Sequence, residues 1–426
     1  MQNVKRSSKR SALSILARLG PGLITGVADD DPSGIATYSQ AGAQFGLNTL
    51  WTMPLCYPLM AAVQSLCAQI GRVTGHGLAF NLKRAFPLWV VYASVALLLT
   101  ANILNIAADI AAMGDVLAGS IGANRHLTTV LLVAASLLLQ VFVPYHRYVK
   151  VLRWLTLSLL AYAAVLFTIH VNWGQVILRT LWPKLSLDAS TATVVVGIFG
   201  TTISPYLFFW QSSEEVEDMR AQKSQPLLVD HAAAASELQR IRWDTWTGML
   251  FSNVVAYIVI LTAALTLHAA GVTDVQTADQ AAQALRPLAG DLAFYLFALG
   301  ILGVGMLAVP VLAGSAGYAL AETMGWRSGL EVSARRAWQF YGVIGFSMLV
   351  GLGLGFTRIN PIKALFYSAV INGVVAVPLI VLILILAART SILGPYRARG
   401  ILLGLGWLTA ALMALSVAGM LIPKTQ

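Results

Sequence analysis

Charge is what this sequence has least of. Asp, Glu, Lys and Arg make up 11% of its 426 residues, against about 25% in soluble domains. That scarcity excludes a conventional solvated surface. Nucleic-acid binding is excluded as well, despite a net charge of +10. The basic residues sit singly or in small groups between apolar runs, and no basic face carries interleaved aromatics. Cysteine is nearly absent. Cys56 and Cys67 are the only two, too few for a four-ligand zinc site. About three helical turns separate them, too many for a disulfide within one straight helix. Packing is their expected role.

Enzyme signatures are missing too. His76, His126, His146, His170, His231 and His268 are scattered near segment ends. None has the i, i+4 spacing with Glu that a zinc protease needs. There is no nucleophile–base arrangement and no Gly-rich phosphate loop, and the 36 glycines fall mostly inside apolar segments, where close helix packing accounts for them. No enzyme and no resident cofactor are expected. Met1 to Arg10 is basic and polar, but no short apolar stretch with a cleavage site follows, so no cleaved signal peptide is expected.

What is present is apolar sequence, 58% of the chain. It falls in runs of about 20 residues, long enough to cross a hydrocarbon core of about 30 Å. Eleven segments emerge, at approximately 15–44, 48–71, 88–119, 127–144, 150–171, 191–211, 243–270, 291–321, 336–357, 360–388 and 400–421. No linker separates two soluble domains. The expectation is an all-α integral membrane protein with one transmembrane domain over 1–426. The longest polar connection runs from Ser212 to Asp244. It holds Glu214-Glu215-Val216-Glu217-Asp218 and an Ala-rich stretch, Ala232 to Ala235, that reads as a surface helix. Asp115 and Glu322, near segment ends, are expected to be solvated. Trp89, Trp173, Trp182 and Trp407 fit an interfacial belt.

The basic residues test this count. With the N-terminus cytoplasmic and eleven spans, 21 of the 28 Lys and Arg fall on the inner side and 7 on the outer. Such asymmetry follows the retention of Lys and Arg on the cytoplasmic side. It gives a multi-pass protein of the cytoplasmic membrane, N-terminus inside and C-terminus outside.

Two segments do not read as plain helices. Segment one contains Asp29-Asp30-Asp31-Pro32-Ser33-Gly34 in mid-span. A charged carboxylate there costs several kcal/mol unless it meets a partner or a wet cavity. Pro32 lacks an N–H and disfavours helical geometry at Asp31. Backbone freed in this way is tolerated only inside protein or against water. Segment six carries Gly200-Thr201-Thr202-Ile203-Ser204-Pro205-Tyr206. The two segments are five apart. If segments 1–5 and 6–10 are related halves, about 15–171 and 191–388, the breaks match, with 400–421 an extra helix. Paired interrupted helices are the best sequence pointer to a transporter's midplane site. Free carbonyls at the breaks and Asp31 then form a cation site. Successive residues on an intact helix point about 100° apart, so Asp29, Asp30 and Asp31 cannot all face one ion. Asp109, mid-span in segment three, reads as a proton or cation relay.

Together these segments resemble the Nramp (natural resistance-associated macrophage protein) family. Gly20-Pro21-Gly22, Asp31-Pro32, and Ala36-Thr37 with Gln40-Ala41-Gly42-Ala43-Gln44-Phe45-Gly46 carry the likeness. It implies a divalent metal transporter with the inverted-repeat fold first seen in a bacterial leucine transporter. The departures carry equal weight. The family's Asp-Pro-Gly-Asn is here Asp31-Pro32-Ser33-Gly34, so the liganding Asn is replaced by Gly34. Its Met-Pro-His is here Ser204-Pro205-Tyr206, which removes the metal-binding Met and the His linked to proton transfer. A family carbonyl ligand maps onto Thr201. The helix-three Asp and Glu correspond to Asp109 and Ala112. The helix-ten Gln falls on Ala369, with Asn372 one turn on as its substitute.

A thioether suits transition metals, and replacing it with a hydroxyl removes that filter. Mg²⁺ prefers oxygen and keeps several waters, needing only one or two carboxylates. The expected metal ligands are therefore Asp31, Gly34, Thr201, Ser204, Tyr206, Asn372 and Asp30, and the expected cargo is Mg²⁺, with Mn²⁺ second. The family's magnesium-transporting branch also lost this Met. Loss of His and Glu implies weak or absent proton coupling. The competing expectations are a proton-coupled Mn²⁺/Fe²⁺ symporter and an organic-solute carrier of the same fold. Against the latter, three acidic residues at the break argue for a cation.

Overall fold

The computed structural model describes residues 21–143, 158–184, 188–357 and 359–421. Among these there is no β-strand. The principal helices are α1 (Pro21–Asp29), α2 (Pro32–Phe45), α3 (Thr52–Thr74), α4 (Leu78–Ala85), α5 (Leu88–Ile121), α6 (Arg125–Phe142), α7 (Ala189–Thr202), α8 (Pro205–Ala221), α9 (Ala234–Ala263), α10 (Ala293–Met324), α11 (Trp338–Gly355), α12 (Pro361–Ala388) and α13 (Ile401–Met420).

Nine helical stretches among the described residues are long and apolar enough to cross a membrane, the α7–α8 pair forming one of them. The expected first span, described from Pro21 as α1 and α2, is not in that set, and it carries three aspartates in mid-span. The expected fifth span, 150–171, is represented by the short helix Leu160–Val165. Its residues 150–157 lie outside the described residues, as do 15–20 of segment one. Large side chains such as Phe167 (92% exposed) and Leu415 (68%) point outward, as hydrocarbon contact requires.

Both interruptions fall where proline forbids helical continuation. Asp31 is extended at φ −74° and ψ 172°, and α2 starts at Pro32. Ile203 and Ser204 depart from helical geometry before Pro205 opens α8. Proline at the first helical position lacks only an N–H that would have no intrahelical partner.

Helices associate here through small residues. α1 lies along α9, where a Cβ on Gly26 would collide with the Gly248 carbonyl. α7 lies against α12, where a Cβ on Gly200 would meet the Ala369 carbonyl and the backbone of Gly373. α5 packs on α10, α11 and α12, so the two broken helices are held from several sides.

The expected polar connection from Ser212 to Asp244 is mostly helix. α8 runs on to Ala221, and α9 begins at Ala234. The Ala-rich stretch is not a separate surface helix. His231–Ala233 form a 3₁₀ turn that leads directly into α9. The physical reason is pairing across helices. Arg240 Nη2 meets Glu215 Oε2 at 2.6 Å, and Glu237 Oε2 lies 3.1 Å from both Arg240 Nε and Arg72 Nε. Charges that would solvate a loop instead fasten α3, α8 and α9 together.

Candidate ion site at the broken helices

Asp31 is 1% exposed, and every hydrogen bond on it is local or crosses to α5. Its Oδ1 accepts from Ser33 Oγ at 2.6 Å and from Gly34 N at 2.7 Å. It thus caps α2, satisfying an amide that a helix start leaves free. Oδ2 accepts from Asn105 Nδ2 at 3.0 Å. Asn105 Oδ1 in turn accepts from Ser368 Oγ at 2.9 Å. One carboxylate therefore joins the first break to α5 and, through an amide, to α12.

Gly34 opens the space between Asp31 and Thr201. A Cβ there would lie 3.1 Å from Thr201 Oγ1, 3.3 Å from Tyr38 Cε2 and 3.5 Å from Asp31 Oδ1. Thr201 Oγ1 is buried and has no hydrogen-bond partner among the described residues. Asp31, Gly34 and Thr201 are thus brought together, and a hydroxyl is left free beside the carboxylate.

The remaining residues of the expected site are arranged differently. Ser204 turns back on its own helix, its hydroxyl donating toward Gly200 O (2.7 Å) and Thr201 O (2.8 Å). It occupies the carbonyls that the break frees. Tyr206 Oη donates to Ala28 O at 3.1 Å. Asn372 is fully buried, and among the described residues neither its amide nitrogen nor its oxygen has a partner. It follows Ser368 by one turn of α12, on the same face. Asp109 follows Asn105 by one turn of α5. Among the described residues both its oxygens are buried without a partner. Asp30 meets α9 rather than α5. Ser252 Oγ of α9 lies 3.2 Å from Asp30 Oδ1 and 2.5 Å from Asp29 Oδ2. Glu322, expected to be solvated, instead accepts from Ser213 Oγ at 3.0 Å and Phe80 N at 3.3 Å.

Among the described residues no three His, Cys, Asp or Glu side chains gather as a metal cluster. An ion at the break would therefore be held by no more than two carboxylates, with hydroxyls, amides, carbonyls and water completing its shell. Asn105, Ser368 and Ser252 are the residues sequence reasoning missed. Asn105 carried one signal, its place one helical turn before Asp109 on an otherwise apolar helix.

The two ends of the bundle differ. At one end α1 is pinned to α9, with Gly22 N donating to Asp244 Oδ2 at 2.8 Å beside the Arg240 network. At the other end a cavity of about 400 Å³ lies between α2, α7 and α12, lined by Gln40, Thr193, Asp274, Lys363 and Phe366. Gln40 bridges to the 273–275 backbone there, and Lys363 Nζ stands 3.6 Å from Asp274 Oδ2.

Membrane-length helices, two of them broken in mid-span around a buried carboxylate, define a multi-pass membrane protein of the inverted-repeat transporter architecture. The family model described as natural resistance-associated macrophage protein-like, Nramp, matches residues 22–423. The chain belongs to the Nramp family, and the relatives it matches are transporters, not enzymes. A divalent metal cation transporter MntH of Klebsiella pneumoniae subsp. pneumoniae is 26% identical over 98% of this chain and 97% of the relative. The crystal structure of an Eremococcus coleocola manganese transporter superposes with a TM-score of 0.75 at 18% identity, covering 95% of this chain and 86% of that one. Mhp1, a nucleobase-cation-symport-1 family transporter in a closed conformation, gives a TM-score of 0.57 at 13% identity over 95% and 91% of the two chains. These two likenesses concern the fold.

Proposed function

We propose that this protein carries divalent metal cations across the cytoplasmic membrane by alternating access, with Mg²⁺ the preferred cargo and Mn²⁺ the second. The relatives' names, divalent metal cation transporter and manganese transporter, support the cargo class. The observation that carries the choice of ion is the pairing of Asp31 with the free hydroxyl of Thr201 across Gly34. Ser204 and Tyr206 stand at the family's Met and His positions, so the polar groups at the break offer oxygen and amide rather than thioether or imidazole. Oxygen ligands and retained water suit Mg²⁺, whereas the absent soft ligand suits transition metals.

Coupling to protons is weak or absent in this reading. Tyr206 is engaged with Ala28 O, and Ala112 offers no ionisable group. Uptake then follows the ion gradient and the membrane potential. With the N-terminus inside, the Arg72–Glu237–Arg240–Glu215 network closes the cytoplasmic end, and the cavity beside Gln40 and Lys363 faces outward.

Asp109, with two unpartnered oxygens, is the observation that favours the second reading, a proton-coupled Mn²⁺/Fe²⁺ symporter. An organic carboxylate is a poorer fit, because Gly34 N already donates to Asp31. Proteoliposome uptake with an internal pH indicator separates these readings. The expected result is saturable Mg²⁺ uptake without stoichiometric acidification. Saturable Mn²⁺ uptake with Mg²⁺ excluded and one-for-one acidification would overturn the proposal.

A further inference from the structure

Asp29 and Asp30 form a second acidic locus, on the α1 side of the break and separate from the Asp31–Thr201 locus. Asp29 is 0% exposed and Asp30 2%. One hydroxyl, Ser252 Oγ, lies within hydrogen-bond distance of both carboxylates. A single hydroxyl proton cannot satisfy four carboxylate oxygens. Asp29 Oδ1 and Asp30 Oδ2 are left buried without partners. Among the described residues neither carboxylate has a Lys, Arg or His ion-pair partner. Two carboxylates at this depth are tolerated only with a counter-charge or a bound proton.

A second, independent observation points to a ligand. Tyr38 is 1% exposed, and its hydroxyl has no partner. Its ring lies 3.3 Å from the Cβ position of Gly34, on the helix α2 that packs against α9, the helix of Ser252. A buried phenol without a partner among the described residues thus lies on an element next to the two carboxylates. Cys56 is engaged elsewhere, its Sγ 2.8 Å from Thr202 Oγ1.

We propose that Asp29, Asp30, Ser252 and Tyr38 form a second cation site, which takes a partly hydrated divalent ion passing between Asp31 and the α1 end of the bundle. The proposal rests on the reading of this chain as a divalent-cation carrier. Two carboxylates, two hydroxyls and retained water are a hard-cation ligand set. The site also lies on the surface that must part. Gly22–Asp244, Gly26–Gly248 and Asp29–Ser252 follow one another at intervals of four residues along α9. Moving α1 off α9 breaks the Ser252 contact and opens the pair to the solvent at that end. An ion bound there bridges α1 and α9, and its departure accompanies their separation.

The test counts bound ions. The full-length protein, purified in detergent, is equilibrated by dialysis against Mg²⁺ and, separately, Mn²⁺, and bound metal is measured per chain. Wild type is expected to bind two ions, Asp29→Asn/Asp30→Asn one, and Asp31→Asn one. Ser252→Ala, a gentler change should the double variant fail to fold, is expected to keep two sites and weaken one of them by about 10-fold, in the range seen when a group supporting a metal ligand is removed. One ion in wild type, lost in Asp31→Asn alone, would overturn the proposal and leave the aspartate pair to share a proton. Two ions retained at full affinity in Asp29→Asn/Asp30→Asn would overturn it as well. A single ion lost only in Asp29→Asn/Asp30→Asn would keep this site and remove the one at Asp31. No bound divalent ion in wild type would refute the carrier reading and this site together.

Discussion

Tyr206 Oη donates to the carbonyl of Ala28 across 3.1 Å, joining the first turn of α8 to the last turn of α1. The residues are 178 apart in sequence, and each lies beside a helix interruption. α1 is also held by α8 through Thr25 Oγ1, which donates to Gln211 Oε1 at 2.5 Å, and by α9 through Gly22 N and Asp244. Tyr206→Phe removes a buried hydrogen bond, a loss of about 0.5–1.5 kcal/mol. The protein is expected to stay folded while α1 loosens. Hydrogen exchange of the Gly22–Asp29 amides checks this, and should speed up several-fold against unchanged exchange in α10.

Ser204→Met tests the ion preference. The substitution replaces a hydroxyl that donates to Gly200 O and Thr201 O with a thioether that donates nothing. It frees two carbonyls and adds a soft ligand. Competition uptake is expected to shift toward Mn²⁺ and Cd²⁺ over Mg²⁺ by roughly 10-fold, about 1.4 kcal/mol of differential binding. An unchanged ratio would mean that Ser204 is remote from the cargo.

Asn105→Ala removes the donor to Asp31 Oδ2 that comes from outside the carboxylate's own turn among the described residues. Ser368→Ala removes the group that orients Asn105. Loss of such supporting partners typically lowers metal affinity about 10- to 100-fold. Asn105→Ala should raise the half-saturating Mg²⁺ concentration by that order, and Ser368→Ala by less. Equal, negligible effects would place both residues in packing alone.

Arg240→Ala leaves Glu215, 0% exposed, without its cation. Breaking a buried pair from one side costs about 3–5 kcal/mol, and Glu237 and Asp244 lose a partner as well. Thermal stability should fall markedly. Arg240→Met with Glu215→Leu should recover the part of the loss due to Glu215, while Glu237 keeps Arg72 and Asp244 keeps Gly22 N. If the network also closes the cytoplasmic end, a cysteine placed near Gly26 becomes accessible to a thiol reagent in the double variant.

The positions of the breaks were legible in sequence because proline acts locally. Pro32 and Pro205 each dictate the geometry of the residue before them, and a carboxylate at the first needs a reason within its own segment. The site around the break was less legible. Asp31 meets Asn105 74 residues away, and Asn105 meets Ser368 at a further 263. No spacing rule encodes those contacts. The same holds for the stretch from Ser212 to Asp244. Its charges read as a loop until Arg72 and Arg240 are seen to absorb them, which lets α8 and α9 extend. Asp29 and Asp30 show the opposite case. Helical geometry already implied that three adjacent aspartates face different ways, but Ser252, the residue they face, lay within a long apolar run and carried no mark.

Asp31 is the centre of the account, and transport measures its role most directly. Wild type and Asp31→Asn, each reconstituted in liposomes and matched for monodispersity and thermal stability, are compared for Mg²⁺ uptake under an inward ion gradient. Saturable uptake is expected in wild type and a fall of at least about 10-fold in Asp31→Asn, since the break loses its carboxylate. Uptake in Asp31→Asn equal to that of wild type would contradict it.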